Sequence, residues 1–234
     1  MIPTTFTFLL LAACAFAADN STKVNVTVYY ESLCPDSAAF VYKQLVPTWE
    51  KMMDNIDLVL VPYGKSTTDK TENGTKFTCH HGEEECVGNK IQSCILEGSA
   101  VPNTTAQVKI IDCLMREAKK DMPYPTKMCV AKITSLDVEK VSTALESCAN
   151  STKGDELLEK NGEKTKLFES PLVNVPAVTI NGMKDKDAIA DFQAALCKAS
   201  ANKPEACKGG KNSSPSLVAS VVLPLVASVL LVKL

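Results

Sequence analysis

Alternating apolar residues near the start of the chain predict a β-strand. Every second position of this stretch is apolar, and the side chains are β-branched or aromatic: Val24, Val26, Val28 and Tyr30. The next apolar residues recur at helical spacing, at Phe40, Val41, Leu45, Trp49, Met52 and Met53. Ile56 to Val61 is a short apolar run typical of a buried parallel strand. The pattern predicts a βαβ unit of an α/β protein, with Cys34 at the start of a helix that Pro47 kinks.

The rest of the body alternates between polar and helical patterns. Residues 65–78 are polar and contain Asn73-Gly74, which predicts an exposed loop. From Cys79 to about Asn150 the apolar spacing is helical and cysteines are frequent, so this stretch is predicted to be an inserted helical subdomain. Residues 156–166 are polar and are interpreted as a surface helix or loop.

A β-hairpin is predicted close to the end of the body. The apolar strand over 173–180 contains Pro176, and Asn181-Gly182 supplies the turn. Residues 185–200 are predicted to form the closing helix, with one apolar face made of Ile189, Phe192, Leu196 and Cys197.

Both ends of the chain carry apolar segments. The first ends in Ala15-Phe16-Ala17, an A-x-A pattern that predicts a signal peptide over residues 1–17. The last, Leu217 to Val232, is shorter than the roughly 20 residues of a membrane-spanning helix and contains Pro224. Small residues precede it, so residues 212–234 are interpreted as a glycosylphosphatidylinositol-anchor signal or a membrane span. Between these ends lies one predicted domain, residues 18–211.

Charge and sequons agree with a secreted or membrane-anchored protein. The net charge is −2 and no basic stripe occurs, so nucleic acid is not an expected partner. Sequons for N-glycosylation occur at Asn20, Asn25, Asn73, Asn103, Asn150 and Asn212. They predict a glycoprotein of the secretory pathway that is held at the cell surface or released.

The chain has 10 cysteines, and their number singles out Cys34. Cys14 belongs to the predicted signal peptide, so the mature chain has an odd number. An odd cysteine in a secreted protein indicates a free thiol or an intermolecular bridge. The remaining cysteines are disulfide candidates with open connectivity: Cys79, Cys86, Cys94, Cys113, Cys129, Cys148, Cys197 and Cys207.

The alternative to disulfides at Cys79 and Cys86 is a zinc site that these cysteines form with His80 and His81. The two cysteines are farther apart than the C-x₂₋₄-C pairs of zinc sites, and oxidation competes for both thiols. No metal is therefore expected.

The motif C-H-H-G-E-E-E-C-V-G-N-K-I-Q-S-C starts at Cys79. It resembles the signature C-Q-H-G-x-x-E-C-x-x-N-x-x-x-x-C of the gamma-interferon-inducible lysosomal thiol reductase (GILT) family. His80 replaces the family glutamine, and the remaining signature positions match: Cys79, His81, Gly82, Glu85, Cys86, Asn89 and Cys94.

The resemblance implies a thioredoxin-like fold and a thiol reductase of the secretory route or the lysosome. It implies that Pro176 follows a cis peptide bond and faces the catalytic Cys34. The family active site is C-x-x-C, whereas this chain has Cys34-Pro35-Asp36-Ser37, so Ser37 stands where a second thiol is expected. No step is assigned to the signature residues, which are interpreted as structural.

The chemistry expected of such a site is disulfide exchange by a single thiol. A helix N-terminus stabilises the thiolate that attacks disulfides, while Asp36 opposes it. Cys34, expected to be accessible, would attack protein disulfides, and an external small thiol would release the adduct, since Ser37 cannot. No cofactor is expected. The alternatives are a non-enzymatic binding protein with the same fold and a homodimer bridged through Cys34.

Overall fold

The central sheet is built around the predicted first strand. The structure, a computed structural model, describes residues 23–72 and 74–208. Strand β1 (Val24–Tyr30) pairs in parallel with β2 (Ile56–Pro62) and antiparallel with β5 (Ala177–Ile180), which pairs antiparallel with β6 (Met183–Lys184). The strand order is β2-β1-β5-β6. The alternating residues of β1 are buried because that face of the strand packs on the core.

The helix after β1 is continuous but changes its winding. It runs through α1 (Pro35–Phe40), a π-helical turn (Val41–Leu45) and α2 (Val46–Met52). A proline at position 47 has no N–H, and in a regular α-helix its ring would clash with the carbonyl four residues earlier. The wider π turn accommodates it, and the Val46 N–H donates to the Val41 carbonyl instead. Met53, predicted on the buried face, is 43% exposed because the helix gives way there to a 3₁₀ turn.

The prediction of an exposed loop over 65–78 is wrong. Strands β3 (Thr67–Thr71) and β4 (Gly74–Thr78) form a separate antiparallel hairpin. Both strands carry mostly exposed polar side chains, so their backbone pairing leaves no apolar alternation in the sequence. Lys70 ties the hairpin to the helical layer through an ion pair with Glu159 at 2.6 Å.

A layer of five helices follows the hairpin. The helices are α3 (Glu83–Glu97), α4 (Thr104–Glu117), α5 (Thr126–Val130), α6 (Val138–Ala149) and α7 (Thr152–Phe168). The layer extends past the expected end near residue 150, because α7 packs against both α3 and β2. Helix α7 looks polar in sequence because it buries Gly154, Asn161, Gly162 and Thr165 together with Leu158.

Disulfides tie the helices together. They join Cys79 to Cys86, Cys94 to Cys148, Cys113 to Cys129, and Cys197 to Cys207. The second bridge links α3 to α6 and the third links α4 to α5. The fourth links α8 (Phe192–Ala199) to α9 (Glu205–Lys208). Each predicted disulfide candidate therefore has a partner.

The last part of the body forms a shorter hairpin and a shorter helix than expected. The strand begins at Ala177, and Val173 is 62% exposed. The peptide bonds before Pro171 and Pro176 are both cis. Within 185–200, a 3₁₀ turn at Asp187–Ile189 precedes α8, whose N-cap Asp191 accepts a hydrogen bond from the Ala194 N–H at 2.9 Å.

Several predictions concern residues outside those described. These are the signal peptide at 1–17, the tail at 212–234, and the sequons at Asn20, Asn73 and Asn212. Asn25, Asn103 and Asn150 are described, and their side chains are exposed. Within 23–72 and 74–208, no helix has both the length and the apolar character needed to cross a membrane.

Close packing of α7 on the end of β2 depends on Gly162. A Cβ at this position would lie 2.7–2.8 Å from ring carbons of Tyr63. We expect Gly162→Ala to lower the free energy of unfolding by about 1–3 kcal/mol, since overpacking outweighs the better helix propensity of alanine. Urea denaturation with intact disulfides measures this. Glu163→Ala, an exposed neighbour on the same helix, is the control, and equal stability of the two variants would contradict the packing argument.

Candidate active site

Cys34 ends the turn that connects β1 to α1. It is the N-cap residue of the helix, its N–H donates to the Glu31 carbonyl at 3.4 Å, and Pro35 follows at the first helical position. Among the described residues it is the one cysteine without a disulfide. The expectation of an accessible sulfur needs correction, because Cys34 is only 6% exposed. Direct access of a substrate to the sulfur is therefore restricted.

Ser37 is fully buried one helical turn from Cys34. Its Oγ accepts a hydrogen bond from the backbone N–H of Glu31 at 3.4 Å. The hydroxyl thus helps to hold the end of β1. Since oxygen stands where the second sulfur of a C-x-x-C motif would be, Cys34 cannot form an internal disulfide with this position.

The cis bond before Pro176 lies at the same end of the sheet as Cys34. Ala177 pairs with Tyr29 near the carboxyl end of β1, which places Pro176 beside the turn. A cleft of about 430 Å³ opens between this loop and the first helix. It is lined by Asp36, Phe40, Lys43, Asn174, Val175 and Pro176, among others. Since Asp36 belongs to its lining, the cleft lies next to the Cys34 motif.

Helix α3 holds the turn before Cys34 from the side. Asn89 Oδ1 accepts from the Ser32 N–H at 3.0 Å, and Ser32 Oγ donates to the Glu85 carbonyl at 3.0 Å. Gly88 permits this contact, since a Cβ there would lie 2.5 Å from Ser32 Oγ. Asn89 Nδ2 is buried and finds no partner among the described residues, so the side chain acts through its oxygen. Part of the signature therefore fixes the backbone next to Cys34.

The acidic and imidazole groups of the signature meet at the same turn. The His81 N–H donates to Glu85 Oε1 at 3.1 Å, and His81 Nδ1 lies 2.6 Å from Glu85 Oε2. His81 Nδ1 also lies 3.3 Å from Oε2 of Glu31, another fully buried carboxylate. Burial raises the pKa of Glu85, and the nearby Glu31 carboxylate adds to this increase.

The remaining signature residues shape the loop that carries the histidines. The Cys79–Cys86 disulfide closes this loop, and Gly82 has a φ of 100°, which favours glycine. Cys94 lies farther along α3, in its bridge to α6. The bridge between Cys79 and Cys86 also removes both thiols from the alternative zinc site considered for this cluster.

A hydrogen-bond chain beneath the turn was not found from the sequence. The Tyr30 hydroxyl donates to Gln92 Oε1 at 2.5 Å, and Gln92 Nε2 donates to the Tyr124 hydroxyl at 2.7 Å. Burial raises the pKa of both tyrosines, so both hydroxyls stay protonated. Glu31, Ser32 and Tyr124 belong to no motif, and only their spatial proximity reveals that they support the site.

A family model described as "Gamma interferon inducible lysosomal thiol reductase (GILT)" matches residues 25–133. The Gamma-interferon-inducible lysosomal thiol reductase-like protein of Anopheles gambiae is 37% identical over 95% of this chain and 98% of its own length. The chain belongs to the GILT family. GILT-like protein 1 of Drosophila melanogaster is 35% identical over 91% of this chain and 90% of the relative.

The fold of this GILT-family chain is also found among solved structures. Chlamydia trachomatis DsbA superposes with a TM-score of 0.54 over 85% of this chain and 96% of that one, at 15% sequence identity. The predicted thioredoxin-like fold with a disulfide-rich helical subdomain is confirmed. Family membership and fold together support a thiol–disulfide oxidoreductase.

The hydrogen bond from the Ser32 N–H to Asn89 predicts that this signature residue restrains the turn before Cys34. Asn89→Ala leaves the Ser32 N–H without its acceptor, which should cost about 1–3 kcal/mol of stability. Because the turn is then less restrained, iodoacetamide should alkylate Cys34 of the native protein faster than in the wild type.

Val87→Ala is the matched control, because Val87 lies on the same helix and is 40% exposed. Mass spectrometry of the peptide that contains Cys34 gives the alkylation rate for each protein. Identical rates in wild type, Asn89→Ala and Val87→Ala would contradict the role assigned to Asn89.

Proposed function

We propose that this GILT-family protein exchanges protein disulfides through Cys34 alone. The observation that carries the proposal is the unpaired sulfur of Cys34 at a helix N-terminus, with the Ser37 hydroxyl in the place of the second cysteine of a C-x-x-C motif. The other cysteines of the described residues are consumed by structural disulfides, so none of them is available as a resolving thiol.

The reaction has two stages. The Cys34 thiolate attacks one sulfur of a substrate disulfide; a new S–S bond joins Cys34 to the substrate, and the other substrate sulfur leaves as a thiolate. An external small thiol then attacks the Cys34 sulfur of this mixed disulfide, so that the reduced substrate leaves and Cys34 is bonded to the small thiol. A second small thiol attacks the small-thiol sulfur of that adduct, which forms the oxidised dimer and releases the Cys34 thiolate. One substrate disulfide and two small thiols give one substrate dithiol and one oxidised small-thiol dimer, and Cys34 is regenerated.

The surroundings of Cys34 define which substrates fit. A sulfur that is 6% exposed is reached by a flexible or unfolded chain more easily than by a folded surface. The cleft beside Pro176 offers such a chain a place to lie, with Lys43 and Asp36 at its edge. We infer that extended, disulfide-bonded polypeptides are the substrates, and the same burial argues against a homodimer bridged through Cys34.

The proposed location is the lumenal or outer side of the secretory route, including the lysosome. Structural disulfides of this number are typical of oxidising compartments. Attachment through the tail at 212–234 and use of the exposed sequons Asn25, Asn103 and Asn150 belong to this proposal. No nucleic acid and no cofactor enter it, apart from the small thiol.

A non-enzymatic role is the second candidate. The loss of the resolving thiol and the burial of Cys34 both favour a protein that captures a partner and keeps it. In that case the mixed disulfide forms but small thiols release it slowly. The two candidates differ in turnover, so one assay separates them.

We expect purified protein to reduce a disulfide-bonded, unfolded reporter chain when glutathione is supplied. Cys34→Ser should have no activity above glutathione alone, because every step passes through that sulfur. Release of reporter thiols over many turnovers supports the reductase. A single equivalent of reporter trapped covalently on the wild type but not on Cys34→Ser supports the binding protein. Equal rates for the two proteins, with no reporter trapped on either, would eliminate both candidates.

Restoring the second sulfur should increase turnover. Ser37→Cys places a resolving thiol one helical turn from Cys34, and an intramolecular attack should accelerate release by at least about tenfold over external thiol. Ser37→Ala is the control, because it loses the hydrogen bond from the Glu31 N–H without gaining a thiol. Turnover with limiting glutathione is the measurement. A Ser37→Cys rate no higher than that of Ser37→Ala would show that the site no longer supports resolution.

A further inference from the structure

Three potential metal ligands converge on one side of the turn before Cys34. Glu31, His80 and His81 each offer one donor atom, and these atoms lie within 4.8 Å of one another. His80 Nδ1 is 3.4 Å and His81 Nδ1 is 3.3 Å from Oε2 of Glu31. These two residues are the only histidines in the chain. The cluster is distinct from the Cys34 sulfur and from the disulfide that closes the loop.

The separations of the two histidine donors from the Glu31 carboxylate match those of a tetrahedral zinc site. Around a zinc ion bound at 2.0–2.2 Å, neighbouring nitrogen and oxygen donors lie about 3.3–3.6 Å apart. Both distances to Oε2 of Glu31 fall in this interval. Two imidazoles and a carboxylate form a ligand set typical of zinc, and the fourth position accepts water or another carboxylate oxygen.

The groups around these ligands hold them in position. Oε1 of Glu31 accepts the Lys65 backbone N–H at 2.7 Å, which leaves Oε2 directed at the two histidines. Glu85 lies behind His81, with Oε2 at 2.6 Å from Nδ1 and Oε1 on the His81 N–H at 3.1 Å. When His81 Nδ1 binds zinc it has no proton to donate, so Oε2 of Glu85 has to move away from that nitrogen and can supply the fourth oxygen. The backbone hydrogen bonds to Oε1 of Glu31 and Oε1 of Glu85 remain, and supporting contacts of this kind are typical of metal sites.

Charge and access also favour a cation. Glu31 and Glu85 are both fully buried, and a divalent ion would compensate two carboxylates that face the same imidazole. One positive group opposes binding, since Lys65 Nζ lies 3.5 Å from His80 Nε2. When His80 binds zinc through Nδ1, its Nε2 carries the proton, and the Lys65 ammonium group has to turn outward. The side chains of His80 and His81 are 47% and 27% exposed, so an ion can enter from solvent.

We propose that Glu31, His80 and His81, supported by Glu85, form a zinc-binding site next to the Cys34 turn. His80 stands where the family signature has glutamine, so the site depends on a position at which this chain departs from the signature. The proposal rests on ligand geometry and does not require the reductase activity.

The test uses the full chain with Cys34→Ser, which removes the free thiol as a competing ligand while the disulfides stay intact. Titration with zinc chloride, followed by calorimetry, should show one bound equivalent. Adding His80→Gln should weaken binding at least about tenfold, since even the loss of a supporting residue costs that much at zinc sites. Glu163→Gln removes an exposed carboxylate on α7 and should leave the affinity unchanged.

A second measurement identifies the ligands directly. With two histidines in the chain, the imidazole Cε1–H region of the proton NMR spectrum holds two signals, and zinc should shift both. Absence of binding, unchanged affinity in His80→Gln, or a shift of only one imidazole signal would each overturn the proposal. Circular dichroism of each variant confirms that the affinity is measured on folded protein.

Discussion

The attachment of α3 to the turn between β1 and α1 is the constraint on which the site depends. A three-residue turn has to deliver Cys34 to a helix start while its own buried polar groups stay paired. Asn89 and the Glu85 carbonyl satisfy Ser32, and Ser37 satisfies the Glu31 N–H. Because each of these partners is buried, the turn cannot move without leaving polar groups unpaired in a low-dielectric interior. The sulfur is therefore presented by a rigid frame.

The disulfide-linked helices are what place α3 there. Helix α3 is bridged to α6 through Cys94 and Cys148, and it packs against α7 as well as against the sheet. Gly88 allows the close approach of α3 to Ser32, and Gly162 allows that of α7 to Tyr63. The insertion thus holds the turn before Cys34 in place, which explains why signature residues in the insertion contact a turn of the βαβ unit.

The parts of this arrangement that leave a local pattern could be predicted from sequence. The alternation in β1, the helical spacing after it and the odd number of cysteines indicated the βαβ unit and the special position of Cys34. The β3–β4 hairpin left no such pattern, because its strands pair through the backbone while most of their side chains are polar and exposed. The sequence of α7 suggested a surface element although one face of the helix is buried. That face consists largely of glycine, asparagine and threonine, which do not form an apolar pattern. Glu31 and Ser32 became visible only when the fold brought α3 to their side.

Glu31 connects the two positions at which the chain departs from the GILT pattern. Its backbone N–H donates to Ser37 Oγ, and its Oε2 lies 3.4 Å from Nδ1 of His80. Ser37, in the place of the second cysteine, and His80, in the place of the glutamine, therefore contact opposite ends of Glu31. A change at either position alters the partners of Glu31, whose carbonyl accepts the Cys34 N–H. The two positions, far apart in the sequence, therefore contact the same residue beside Cys34.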